Sequence, residues 1–132
     1  MPSPVDHTEV DLPMGICVVA DDERAVRELV TRVLSAEGFE VFAAGDGRTA
    51  VALLAAHPVD LLVTDIVMPD GDGLETIRAV RRQYPALKIL VMSGKFGPDI
   101  LRIAKLLGAD ASMSKPFSAE DLIFNVRAVF ES

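Results

Sequence analysis

A chain of 132 residues, half of them hydrophobic, holds one globular domain with a substantial core and leaves no room for a second. Its formal charge of -7 and pI near 4.7 argue against direct binding to nucleic acid, whose affinity comes from clustered Lys and Arg. No apolar stretch approaches the ~20 residues that span a bilayer, so a soluble, cytoplasmic protein with no membrane partner is expected.

Positions 1–14 carry Pro2, Pro4, Pro13 and several acids, with neither the basic nor the apolar region of a signal peptide. A flexible N-terminal arm over 1–14 is expected, followed by a domain over 15–132. Short apolar runs then alternate with stretches of helical period, separated by glycine, proline or acidic punctuation. The runs place strands near 15–20, 39–44, 60–65, 88–92 and 110–114. Helices fall near 24–37, 47–56, 73–84, 98–107 and 118–131. In the first helix Val26, Leu29, Val30, Val33 and Leu34 form an inward stripe, while Arg24, Arg27, Glu28 and Arg32 face water and Gly38 stops the helix. In the last, Leu122, Ile123, Val126, Val129 and Phe130 form the stripe, and Ser118 with Asp121 marks its start. Cys17, the single cysteine, sits in an apolar run as a small buried hydrophobe. His7 and His57 are expected at the surface.

Regular βα alternation demands parallel strands joined by right-handed crossovers with helices on both faces. The expected fold is therefore a single doubly wound α/β domain with a five-stranded parallel sheet and five helices. Ligands of such sheets sit beyond the carboxyl ends of the strands, at a topological switch point. Five polar residues fall at those ends: Asp21 and Asp22 after the first strand, Asp65 after the third, Ser93 after the fourth and Lys115 after the fifth.

Each has a plain structural explanation alone. Asp21, Asp22 and Glu23 suit a helix N-terminus, Asp65 a strand-end turn, Ser93 a cap and Lys115 a solvated surface. Together, three carboxylates at one edge repel unless protonated or bridged by a cation. Hard oxygen ligands with places left for water suit Mg²⁺, which prefers few carboxylates plus phosphate oxygens. A carboxylate can itself be the nucleophile that becomes an aspartyl phosphate. Phosphoryl transfer then needs mainly positioning and charge neutralisation, for which Asp21, Asp22, Ser93 and Lys115 are suited. Asp65 is left as the attacking group.

The segments Val18-Val19-Ala20-Asp21-Asp22-Glu23, Leu62 through Gly73, Val91-Met92-Ser93-Gly94, and Gly108-Ala109-Asp110 with Ser114-Lys115-Pro116-Phe117 resemble the receiver domain of two-component response regulators. The resemblance covers nearly all of 15–130, with four motifs in family order. It implies a flavodoxin-like sheet of order 2-1-3-4-5, Asp65 as phosphoacceptor, and Asp21, Asp22, Asp65 and the Val67 carbonyl as Mg²⁺ ligands. It further implies Ser93 as the switch hydroxyl, Lys115 as the phosphoryl-binding lysine and a cis peptide before Pro116. Val67 and Lys95 would tune the lifetime of the phosphoryl group. The partners implied are a sensor histidine kinase or phosphotransfer protein and an output protein. The domain would promote its own phosphotransfer without being an enzyme in the ordinary sense.

Competing motifs fail on particular residues. Asp70-Gly71-Asp72-Gly73 is followed by Leu74, not a third oxygen ligand, which rules out a calcium loop and leaves a turn and helix start. Thr76 stands where a dinucleotide fingerprint needs glycine, and Val67 where an aspartyl-phosphate phosphatase wants a second acid. One departure concerns output: Ser112 occupies the place of the family's signalling aromatic, shifting any switching toward Ser93 and the loop Gly94-Lys95-Phe96-Gly97-Pro98. The fourth helix is apolar on more than one side through Ile100, Leu101, Ile103, Ala104, Leu106 and Leu107. Part of it, with Phe96, Met113 and the fifth strand, is expected to form a partner or homodimer surface. The alternative is a phosphorylation-independent interaction module. No output domain follows the last helix, so either a stand-alone receiver or a piece of a larger protein is expected.

Overall fold

Val18 and Val19 are neighbours in sequence and both fully buried, yet they belong to two separate apolar clusters. Successive strand residues point to opposite faces, so each cluster marks one face of a sheet covered on both sides. The computed structural model describes residues 15–69, 71–94 and 97–131. Its elements run β1 (Gly15–Ala20), α1 (Arg24–Ala36), β2 (Phe39–Ala44), α2 (Gly47–Ala56), β3 (Leu61–Asp65), the two-residue β4 (Val67–Met68) and β5 (Gly71–Asp72), and α3 (Gly73–Gln83). They continue with β6 (Lys88–Ser93), α4 (Gly97–Leu106), β7 (Ala111–Ser114) and α5 (Ala119–Glu131).

The main sheet has the order β2-β1-β3-β6-β7 with every ladder parallel. Taking its five strands in chain order, this is the expected 2-1-3-4-5 arrangement. One face packs Cys17, Val19, Val63, Leu90 and Met92 against α1 and α5, through Val30, Leu34, Leu122, Val126 and Val129. The other packs Val18, Leu62, Ile89 and Val91 against α2, α3 and α4, through Leu54, Ile77, Val80, Leu101 and Ala104. The direction of winding reverses between β1 and β3, and the crevice this opens holds the ends of both strands.

Local chemistry sets the helix ends. Gly38, at φ 102°, follows the C-cap of α1 in the left-handed region that favours glycine. Ser118 Oγ accepts from the Asp121 amide at 3.0 Å while Asp121 Oδ2 accepts from the Ser118 amide at 3.1 Å, so the expected start of α5 is a reciprocal capping pair. The run read as a turn and helix start also pairs β4 with β5 in a short antiparallel ladder before the helix. Gly73 then begins α3 where a Cβ would lie 1.8 Å from the Ile66 carbonyl oxygen. The absence of a side chain at Gly73 lets the chain leaving Asp65 lie close against the start of the next helix.

Three expectations are corrected. Met113 is 5% exposed and packs in the α1/α5 core, since its strand position points inward; it is no part of an α4 surface. Phe130 is 43% exposed, because it lies at the edge of the α5 stripe. Arg27 does not simply face water: its guanidinium turns back to donate 2.8 Å to the Asp21 carbonyl oxygen. On α4, Leu101 and Ala104 are buried, while Ile103 and Leu106 are 40% and 79% exposed. The arm 1–14 with His7, and Asp70, Lys95 and Phe96, lie outside the described residues.

Candidate functional site

Four strands, β1, β3, β6 and β7, bring the parts of the site to one edge. β1 ends at Ala20, and the Asp21 amide continues the ladder by donating to the Ala44 carbonyl at 3.0 Å, so Asp21 is fixed as part of the sheet. It is fully buried. Asp22, the next residue, is exposed. Asp65 is the last residue of β3, 6% exposed and in register with Met92 of β6. Ser93 closes β6 at 3% exposure, in register with Ser114 of β7. The Lys115 amide donates to the Ser93 carbonyl at 3.0 Å, so the β6–β7 ladder carries Lys115 to the same edge. The Lys115–Pro116 peptide is cis.

The result is a tight electrostatic assembly. Lys115 Nζ donates to Asp65 Oδ2 at 3.0 Å and to Glu23 Oε1 at 2.8 Å. It also lies 2.7 Å from Asp21 Oδ2 in an ion pair. That oxygen is the one fully buried side-chain polar atom left without a hydrogen bond among the described residues. Asp21 Oδ1 accepts from the Glu23 amide at 2.8 Å, and Asp65 Oδ1 from the Val67 amide at 3.2 Å.

Burial pushes the Asp21 carboxyl above the ordinary carboxylate range, against the opposing pull of Lys115 and the Glu23 amide. Burial also disfavours the Lys115 ammonium, but Asp21, Glu23 and Asp65 outweigh it and hold that group above the usual lysine value. The cluster is thus held together by one cation among several acids.

Asp21, Asp22 and Asp65 each present a carboxylate oxygen within 4.8 Å of the other two. Three hard donors at that spacing, one of them a buried oxygen lacking a hydrogen bond, fit a divalent cation. Beside them opens a cleft of about 600 Å³ lined by Asp22, Glu23, Asp65, Val67, Gly94 and Lys115, with Val26, Leu29 and Phe117 among its apolar walls. Val67 is half-buried there. Ser112 lies on β7 opposite Val91, partly buried.

In the sequence Glu23 reads only as an acid before a helix. It occupies the N-cap of α1, yet its side chain makes no capping hydrogen bond and reaches Lys115 instead. The signal was its type: N-caps favour Ser, Thr, Asp or Asn over Glu.

A doubly wound domain with clustered carboxylates and a lysine at its switch point defines a class of signalling domain as well as a fold. Residues 17–127 match the family model of the response regulator receiver domain, and the chain belongs to that family, the receivers of two-component systems. The response regulator MprA of Mycolicibacterium vanbaalenii is 43% identical over 119 residues, which are 89% of this chain and 51% of that protein. TcrX of Mycobacterium tuberculosis, a probable transcriptional regulatory protein, is 36% identical over 118 residues, 89% of this chain and 50% of its own. The chain therefore spans about half the length of these curated relatives. Among solved structures, the chemotaxis response regulator CheY4 of Vibrio cholerae superposes with a TM-score of 0.81 at 32% identity, over 88% of this chain and 98% of that one. The receiver domain of NtrX from Brucella abortus gives 0.83 at 31% identity, over 88% and 98%.

Proposed function

We propose that the domain is a phosphoacceptor switch in which Asp65 takes a phosphoryl group from the phosphohistidine of a sensor kinase or phosphotransfer protein. An Asp65 carboxylate oxygen attacks phosphorus and the P–N bond breaks, the donor imidazole leaving with the electron pair. The product is an acyl phosphate on Asp65. The observation that carries this reading is the Lys115 ammonium bonded to Asp65 inside a three-carboxylate cluster at the sheet's switch point.

The residues divide the work. Lys115 neutralises charge growing on a phosphoryl oxygen, and the Ser93 hydroxyl offers a donor to another. Asp21 and Asp22, with Asp65 and the Val67 carbonyl, would hold Mg²⁺, which when bound supplies further neutralisation of the phosphoryl oxygens. The apolar wall of Val26, Leu29 and Phe117 beside Asp65 suits a donor protein's side chains. Val67 and Lys95 tune hydrolysis of the product. No external substrate is turned over, so the domain acts in the cytoplasm as a switch and not as an enzyme.

Output passes to a partner protein or domain without contact between this domain and nucleic acid, consistent with its net charge of -7. The exposed Ile103 and Leu106 on α4 belong to the partner or homodimer surface, and switching leans on Ser93 and the loop after it because Ser112 stands in place of the family's aromatic. The test is incubation with acetyl phosphate and Mg²⁺, read by intact mass. One phosphoryl group added to the parent and none to Asp65→Asn supports the reading. No addition points to a phosphorylation-independent interaction module, and continuous phosphate release points to a phosphatase.

A further inference from the structure

Lys115 is already surrounded by three carboxylates, two of them hydrogen-bonded to it. An ammonium has three donors and no acceptor, and around this one stand Glu23 Oε1 at 2.8 Å, Asp65 Oδ2 at 3.0 Å and Asp21 Oδ2 at 2.7 Å. A phosphoryl oxygen that is to be neutralised by Lys115 must displace or crowd one of these carboxylates. Their surroundings differ sharply: the side chains of Asp21 and Asp65 are 0% and 8% exposed, that of Glu23 61%. Releasing Asp21 would strand a charge in the core, whereas water can replace Lys115 as partner of Glu23. Glu23 also lines the cleft and Asp21 does not, so Glu23 stands on the side from which a phosphoryl donor arrives. Two anions sharing that side of one ammonium repel, and the exposed pair yields at least cost.

We propose that Glu23 is a placeholder for the phosphoryl group: it positions the Lys115 ammonium in the resting site and competes with the incoming phosphoryl oxygen for it. This rests on the acceptor reading of Asp65. Glu23 is a positioning residue, acting through Lys115 and not on phosphorus. Its position at the N-cap of α1, with no capping bond from its side chain, fits that role better than a helix-forming one.

The test measures two affinities of the intact domain: that for Mg²⁺, and that for beryllofluoride, a phosphoryl mimic, at saturating Mg²⁺. Glu23→Gln keeps the shape of the side chain and removes its charge. Beryllofluoride should bind roughly two- to fivefold tighter, the range of an exposed ion pair, while Mg²⁺ affinity stays within about twofold on the same scale. Glu28→Gln removes the same charge from the same helix without a contact to Lys115, and should leave both affinities unchanged. Unchanged or weaker beryllofluoride binding by Glu23→Gln overturns the placeholder role, as does equal tightening by Glu28→Gln, which would make the effect one of net charge. A fall in Mg²⁺ affinity would make Glu23 a support of the metal site and overturn it too. Failure of the parent to bind beryllofluoride at all would instead remove the acceptor reading on which the proposal stands.

Discussion

Lys115 and Asp65, fifty positions apart in sequence, are joined by a 3.0 Å hydrogen bond between ammonium and carboxylate at the carboxyl edge of the sheet. The lysine comes from the residue after β7 and the aspartate from the last residue of β3, with β6 between them. Parallel register therefore sets the pair, and its chemistry depends on the whole sheet being in place.

Removing the lysine leaves Asp21 and Asp65 buried without their cation. Lys115→Met should destabilise the metal-free domain by about 3 kcal/mol or more, the usual cost of breaking a buried pair. Mg²⁺ should recover much of that loss. Because the folded pKa of Lys115 lies above its ordinary value, the stabilisation is fully present below the unfolded-state pKa of about 10.4 and fades only as pH rises through the folded value. Urea unfolding with and without Mg²⁺ checks this, and equal stability of parent and variant would contradict it.

Asp21 behaves in the opposite sense. Burial raises its folded pKa, so the folded domain holds a proton more readily than the unfolded chain. Stability without metal should fall as pH rises through that folded pKa. Asp21→Asn should then raise the metal-free melting temperature near neutral pH while weakening Mg²⁺ binding by at least about tenfold, since loss of even an indirect partner of a metal costs that much. In the parent, Mg²⁺ affinity should decline on acidification at a higher pH than for an ordinary carboxylate site. Calorimetric titration across pH, with melts of both proteins, measures both arms.

Gly73 tests the packing behind Asp65. A methyl group there meets the Ile66 carbonyl oxygen at 1.8 Å, so Gly73→Ala should cost roughly 1–3 kcal/mol of overpacking and shift the backbone leaving Asp65. Denaturant unfolding checks the first effect. Amide exchange over residues 64–69 checks the second.

On α4, Leu106 is 79% exposed. Leu106→Glu should change monomer stability by no more than about 0.5 kcal/mol, yet abolish any self-association that Mg²⁺ and beryllofluoride induce in the parent. Sedimentation of both proteins under those conditions decides whether this face serves dimerisation.

Much of the fold was legible because its signals are local. Strands with residues buried on both faces read as continuous apolar runs, as in Leu61-Leu62-Val63, and α1 and α5 announced themselves by stripe, stop and cap. Asp21, Asp22, Asp65 and Lys115 are legible as neighbours because parallel winding sends the carboxyl end of every strand to one edge. What was hidden depends on side-chain direction in three dimensions. The inward turn of Met113 and the outward edge position of Phe130 follow from how strand and helix meet their neighbours, not from hydrophobicity. The reach of Glu23 to Lys115 spans 92 positions, and no helical or strand periodicity encodes it. The return of Arg27 to the Asp21 carbonyl likewise runs against the expectation that a charge on the polar side of a helix faces water.

The central claim is that Asp65 becomes covalently modified. Treating the Mg²⁺-loaded domain with acetyl phosphate and trapping with borohydride, which reduces an aspartyl phosphate to homoserine, tests it at the level of the residue. Peptide mass spectrometry should find homoserine at position 65 and at no other aspartate. Homoserine at Asp21 or Asp22 instead, or its absence throughout, would contradict the account.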